Sequence, residues 1–455
     1  MKRTFILSRR AFYVAVLIIG MASCKKETDV NPVPTAPEMA AGRGFADNNM
    51  VMYWNDKANT ILNSPITPPA QSRYFAMIQI AVHDALNAIK PKYERFALTS
   101  DRDQHASPDA AVASAAYWAI KLLNIQRTNP IDAWFAESLA TIPDDVSKTD
   151  GIALGKRAAE AIITNRANDQ FAIANMQVPV PDGTTPGAYR STLPFSNPGM
   201  PKIKALHQWG THMSPFVTTS NYQFRAPVPN PISSAAYEQD YNEVKLKGGR
   251  VGHTRTPDEQ EIGVFWVERS ALGWNRFART MVGTKKLDAW KTARLFALLH
   301  TAMTDAISGN FESKYYHFYW RPETAIRLGD DDGNPQTVGD VNWLPSYTEG
   351  PNPNPLSTIY TPPIPDYPSA HATLGGSAAQ VLKMFFSSDQ INLSLTSNTL
   401  PGVVRNYTSL DQAARDNSLS RIYVGYHFRQ ACLEGETQGK RIAEYVFNNS
   451  FAEAD

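Results

Sequence analysis

Apolar residues recur at three- and four-residue intervals along most of the chain, the spacing of a helix that buries one face. Segments 48–63, 72–91, 108–126, 131–141, 150–166, 234–247, 257–281, 286–308, 370–387, 408–424 and 428–447 carry this period and are predicted to be amphipathic helices. Residues 178–232 and 329–369 are rich in Pro, Gly and Asn and break the period, which predicts long loops. Loops of such length in a compact domain line a site or wrap another element. Beyond the N-terminal segment the chain has no apolar run of about 18 residues, so a soluble all-α body is expected and not a bundle of membrane spans.

One helical pattern is echoed. Residues 81–93 read AVHDALNAIKPKY and residues 302–315 read AMTDAISGNFESKY. Both are Ala-rich, carry Asp, and reach Lys and Tyr some nine residues later. Two related helical bundles would explain the echo; chance similarity between Ala-rich helices is the alternative. His83, Asp84 and Asp305 fall on these apolar helices and are expected to satisfy buried polar groups.

The N-terminus departs from the pattern. Arg9 and Arg10 precede the short apolar stretch AFYVAVLIIG, followed by Met21, Ala22, Ser23 and Cys24. That order resembles a bacterial lipoprotein signal covering residues 1–23, cleaved before a lipid-bearing Cys24. An ordinary secretory signal with an incidental Cys is the other reading. Residues 24–44 are polar and Pro-rich and read as a flexible tether, leaving residues 45–455 as the domain. The expectation is an exported protein held by lipid on a bacterial membrane, the outer membrane being favoured, on its periplasmic or surface side. Removing the signal takes Lys2, Arg3, Arg9 and Arg10 from 44 basic residues and nothing from 43 acidic ones. No basic surplus remains for nucleic acid, so any anion site must be a local concentration of charge. If Cys24 carries lipid, Cys432 has no disulfide partner, and its apolar-periodic setting predicts a buried thiol.

Three short patterns carry chemistry. Lys314 precedes Arg321-Pro322 in SKYYHFYWRPETAIR; Pro368-Ser369-Ala370-His371 lies in TPPIPDYPSAHATLGG; Ser420-Arg421 precedes His427 in SLSRIYVGYHFRQ. Two Arg and one Lys can neutralise a tetrahedral oxyanion, Arg with forked donors and Lys with a compact charge. Ser369 adds a hydroxyl, and Ala370 an amide at a helix start, where donors are free. One His can bond the central atom and the other can move a proton near neutral pH. A seven-residue step would put Lys314 and Arg321 on one helical face. The step from Arg421 to His427 does not, and Gly425 between them could mark a break that lets both converge.

The set K-x6-RP, PS-x-H, SR-x5-H resembles the signature of the vanadium-dependent haloperoxidase and type 2 phosphatidic acid phosphatase superfamily. The flanks PPIPDYPSAHATLGG and FYWRPETAIR resemble its chloroperoxidase-like branch. The likeness reaches upstream to PPAQSRYFAMIQIAVHDALNAI and RTPDEQEIGVFW and spans roughly residues 45–447. It implies two related four-helix bundles with the active site within residues 300–435. It further implies that Lys314, Arg321, Ser369, the Ala370 amide and Arg421 hold the oxyanion. His371 would then move protons, and His427 would be the axial partner, bonding vanadium in a haloperoxidase or attacking phosphorus in a phosphatase. One site can serve both because bound vanadate has the trigonal-bipyramidal shape of phosphoryl transfer.

Three positions depart from the family's pattern. Ala370 stands where Gly is common, a mild change if φ is negative. Ala431 stands where an Asp normally orients the last His, with Glu434, a backbone carbonyl or water as possible substitutes. Ile364 replaces an aromatic near the halide site.

The expected function is a vanadate-dependent haloperoxidase using hydrogen peroxide, with bromide or iodide favoured over chloride. A soluble acid phosphatase acting on a phosphomonoester through phosphohistidine, and a non-catalytic anion-binding lipoprotein, are the alternatives. Other patterns read as structure: Asp330-Asp331-Asp332-Gly333 as a solvated turn lacking the Glu of a calcium loop, His317 as aromatic packing, and Trp266 and Trp274 as core.

Overall fold

In the computed structural model the described residues are 49–125, 130–347 and 361–454. Cys24, the signal and the tether lie outside them. Fifteen helices make up most of the fold: α1 (Asn49–Leu62), α2 (Pro68–Ile89), α3 (Pro108–Leu122), α4 (Ile131–Ala140), α5 (Val146–Asn165), α6 (Phe171–Ala174), α7 (Trp209–His212), α8 (Ala235–Gly248), α9 (Pro257–Phe265), α10 (Ser270–Lys285), α11 (Ala289–His317), α12 (Pro322–Arg327), α13 (Ala370–Phe386), α14 (Leu410–Tyr423) and α15 (Arg429–Asn449). Their starts follow local chemistry. Ser107, Asp145, Ser234, Asp288, Ser369 and Ser409 each accept an amide of the first turn, and Thr256 with Glu259 forms a complete capping box. No helix among the described residues is long and apolar enough to cross a membrane.

The all-α expectation holds, with two small antiparallel ribbons added. Val178–Pro179 (β1) pairs with Lys204–Ala205 (β2), and Gln390–Thr396 (β3) with Val404–Ser409 (β4). The second ribbon was not expected. Its signals were the alternation of Ile391, Leu393 and Leu395 and the Pro401-Gly402 turn, where Gly402 has φ +85°. The predicted helix over 257–281 is also two helices, α9 and α10, parted at Trp266–Arg269. That break turns backbone carbonyls toward the site described below.

Helices α2, α3 and α5 pack as one group, and α11, α13, α14 and α15 as another, with α2 laid along α11 between them. The echoed aspartates sit in that seam and do the same work. Asp84 accepts the amides of Phe96, Ala97 and Leu98 at 2.6–2.9 Å. Asp305 accepts those of Phe216, Val217 and Thr218 at 2.7–2.8 Å. Each carboxylate fastens a loop to its helix, as the sequence suggested. In the Asp305 case the loop is the long segment 178–232, which wraps the C-terminal half of α11.

Helices α13 and α15 cross at backbone contact. A Cβ on Gly439 would stand 2.0 Å from the Thr373 carbonyl oxygen, so only glycine permits this approach. The crossing fixes the first turn of α13, and Ser369 N donates to Ala431 O at 2.8 Å.

Candidate active site

Five side chains expected from sequence, Lys314, Arg321, His371, Arg421 and His427, converge, with Ser369 two residues before His371 at the start of the same helix. Lys314 lies in the last turn of α11, which closes at Phe318 with φ +50°. Arg321 follows that reversal as the cap of α12. The two therefore do not share a helical face, contrary to the spacing argument; a chain reversal, not periodicity, brings them together. Arg421 ends α14. Gly425, at φ +82°, reverses the chain there, with the Gly248 carbonyl and Pro345 filling the space a Cβ would need. The amides of Tyr426 and His427 fold back onto Arg421 O at 2.9 and 3.3 Å. The expected break between Arg421 and His427 is thus present. Ser369 and Ala370 open α13, and Ala370 has negative φ, so its methyl group is accommodated.

Lys314 is fully buried and its Nζ donates to the carbonyls of Pro365 and Asp366, each at 2.9 Å. Arg321 donates from Nε to Ile364 O at 2.7 Å and from Nη1 to Tyr426 O at 2.8 Å. The same Nη1 reaches Nε2 of His427 at 2.9 Å. It is also 3.4 Å from Nδ1, so the guanidinium lies across the ring and not in line with one nitrogen. Nδ1 lies 2.9 Å from Oδ1 of Asp366, a carboxylate that can only accept, which favours the imidazole proton on Nδ1. His371 turns Nε2 toward Glu268 O at 3.2 Å, a carbonyl exposed by the break between α9 and α10. Its Nδ1 is then the basic nitrogen.

Charge is out of balance here. Lys314, Arg321 and Arg421 face a single carboxylate, Asp366, within the cluster. Burial first, and Arg321 second, push Lys314 well below the usual lysine range. Burial lowers Arg421 to about 10. Burial followed by the neighbouring cations holds both His371 and His427 well below the ordinary histidine value. Asp366 is lifted to about 7 by burial, with Arg321, Lys314 and the Phe428 amide pulling it back. Arg421 is 2% exposed, yet its Nε and Nη1 bond nothing. Buried donors without acceptors cost about 1–3 kcal/mol each. An anion of charge −2 placed among these groups would supply the missing acceptors and cancel the surplus. The donor set fits vanadate or phosphate: three cations, a hydroxyl, a helix-start amide and the imidazole of His427.

Asp366 was the residue that sequence reasoning missed. It stands inside the quoted segment PPIPDYPSAH but five positions before His371, far in sequence from His427. Glu434, suggested as a substitute for the absent Asp, has Tyr367 and Arg441 as its charge partners instead. Ala431 is buried with Ala226 and Tyr367. Ile364 accepts from Arg321 through its carbonyl, and its side chain packs against the cluster of Val180, Tyr189, Ile203 and Ala205. His317 bonds Ala226 O and meets Tyr367 edge-on, a packing role as expected. Cys432 is a buried free thiol, also as expected. The Asp330–Asp332 stretch folds as a self-bonded turn, and no metal-binding cluster of His, Cys, Asp and Glu occurs among the described residues.

Residues 294–453 match the family model described as the VCPO second helical-bundle domain. The chain is 25% identical to vanadium chloroperoxidase of Curvularia inaequalis, over 88% of this chain and 81% of that one. Among solved structures it resembles the first bacterial vanadium-dependent iodoperoxidase, with TM-score 0.73 and 24% identity over 90% of this chain and 98% of that one. It also resembles a bacterial vanadium-dependent chloroperoxidase in its holo form, with TM-score 0.64 and 14% identity over 90% and 98%.

Proposed function

We propose that the chain is an enzyme of the vanadium haloperoxidase family that binds vanadate and oxidises a halide with hydrogen peroxide, a reading supported by the family match over residues 294–453 and the likeness to vanadium chloroperoxidase. The observation that carries the reading is Arg421, whose buried Nε and Nη1 await an acceptor. Lys314, Arg321 and Arg421 hold the oxygens of the anion; Ser369 Oγ and the Ala370 N–H add donors. His427 would offer its ring nitrogen Nε2 to the bound anion. When bound, vanadate supplies Lewis-acid activation of peroxide without a change of oxidation state. His371, kept neutral by burial and Arg421, accepts a proton from peroxide at Nδ1.

Bromide or iodide is the proposed substrate in preference to chloride. Ile364, an aliphatic side chain packed against the cluster of Val180, Tyr189, Ile203 and Ala205, supports this by resemblance. Lipidation of Cys24 would hold the enzyme at a membrane surface, and the mass of the mature N-terminal peptide checks it.

The test uses residues 40–455 loaded with orthovanadate. Iodination and bromination of a dye are measured with hydrogen peroxide, beside His427→Ala. Halogenation that needs vanadate and disappears in the variant is expected. Hydrolysis of nitrophenyl phosphate that vanadate only inhibits, with no halogenation, would overturn the reading in favour of a phosphohistidine phosphatase.

A further inference from the structure

We propose that Asp366 is the positioning carboxylate of this site, fixing His427 as the Nδ1-protonated tautomer from the loop before α13. The inference rests on reading His427 as the oxyanion's axial partner.

Three observations carry it. Asp366 is fully buried, with Arg321 Nη1 no nearer than 3.8 Å and the Phe428 amide beside it, and its nearest polar side-chain contact is Nδ1 of His427, 2.9 Å from Oδ1. A carboxylate hidden in this way is costly unless it has a function or a partner. Arg321 Nη1 lies across the same ring, 2.9 Å from Nε2, 3.4 Å from Nδ1 and 3.8 Å from Asp366 Oδ1, so the carboxylate is the one acceptor beside Nδ1 and draws the ring proton to that side. Finally, the backbone beside the carboxylate is itself tied down. Lys314 binds the Pro365 and Asp366 carbonyls, Asp366 N donates to Tyr319 O at 2.8 Å, and Ser369 N donates to Ala431 O.

The helix after His427 offers no carboxylate for this purpose. The residue one turn on is Ala431, and Glu434 serves other partners. Asp366 reaches the same imidazole from a different strand of the chain. The contact is off the line of the ring N–H, and a small rotation of the imidazole as Nε2 takes up an anion would align it. A carboxylate on the far nitrogen raises the ligand's basicity and fixes its orientation. Asp366 acts through His427 and makes no claim on substrate.

The test labels histidine with nitrogen-15 and reads the two ring shifts of His427, assigned by loss of its signals in His427→Gln. Wild type is expected to show a protonated Nδ1 and an unprotonated Nε2. In Asp366→Asn, an isosteric change, that preference is expected to fall to a mixture of tautomers, and the dissociation constant for orthovanadate by calorimetry to rise by about 10–100-fold. Asp366→Ala should do the same, while Glu434→Gln should change neither quantity. Wild type carrying its proton on Nε2, or Asp366→Asn keeping both tautomer and affinity, would overturn the inference. Should wild type bind no orthovanadate, the oxyanion reading fails, and the nitrogen shifts still decide what Asp366 does to His427.

Discussion

Arg321 sets its Nη1 2.9 Å from Nε2 of His427 while Nε of the same guanidinium is tied to the Ile364 carbonyl. The arginine is therefore both a scaffold for the loop before α13 and a cation held against the His427 ring. Lysine at this position keeps the charge and loses the fork. Arg321→Lys is expected to weaken orthovanadate binding at least about tenfold and also to lower the melting temperature, because the Ile364 and Tyr426 carbonyls each lose a buried donor. Calorimetry with orthovanadate and a thermal melt of the apoprotein check both halves.

Arg421 should respond differently. Its Nε and Nη1 bond nothing, so it is a cost in the apoprotein and a benefit only with an anion. Arg421→Met is expected to raise apoprotein stability by about 1–3 kcal/mol, the gain from replacing a buried unpaired charge with an apolar group. The same variant should lose the stabilisation that ligand brings. In wild type that is about 2.7 kcal/mol at a hundredfold excess of orthovanadate over its dissociation constant. Denaturant unfolding with and without orthovanadate separates the two effects.

His300 gives the fold a pH dependence apart from the site. It stacks on Phe75 at 4.3 Å, bonds Asn275, and burial lowers it to about 3. The folded protein keeps it neutral, while the unfolded chain takes up a proton near pH 6.5. Its contribution is therefore complete above about pH 6.5 and is lost as pH falls from there toward 3. Between pH 7 and 5 the loss from this one group is about 2 kcal/mol. His300→Gln is expected to show a shallower fall over that interval in denaturant melts. An unchanged slope would mean that the ring protonates inside the fold.

Gly439→Ala tests the crossing that holds Ser369. The added methyl would meet the Thr373 carbonyl at 2.0 Å, backbone against side chain, with nothing able to swing aside. Overpacking of this sort costs about 1–3 kcal/mol. Because the same crossing carries the Ser369–Ala431 hydrogen bond, orthovanadate affinity should fall with stability, and a melt beside a binding titration reads both.

Much of this was legible before any coordinates. The helix periods located the main helices within a few residues, and the three motifs named Lys314, Arg321, Ser369, Ala370, His371, Arg421 and His427, all of which meet or flank one cluster. What failed, failed for physical reasons. Lys314 and Arg321 looked like neighbours on one helix because spacing cannot show that Phe318 takes a left-handed turn between them. The break at Trp266–Arg269 was hidden by an unbroken apolar period, since its purpose, a carbonyl for His371, lies a hundred residues away. The β3–β4 ribbon was short enough for its alternation to pass as part of a loop. Asp366 is invisible in sequence as a partner of His427 because local spacing points to the following helix, where Ala431 stands. Contacts of that kind are set by tertiary approach, which no periodicity encodes.

The most direct measurement is a titration of metal-free protein with orthovanadate, following iodide oxidation by hydrogen peroxide and nitrophenyl phosphate hydrolysis on the same samples. Iodide oxidation should rise from nothing and saturate near one equivalent per chain, with phosphate competing. Iodide oxidation that stays absent at saturation, while vanadate extinguishes a phosphatase activity already present, would contradict the haloperoxidase assignment.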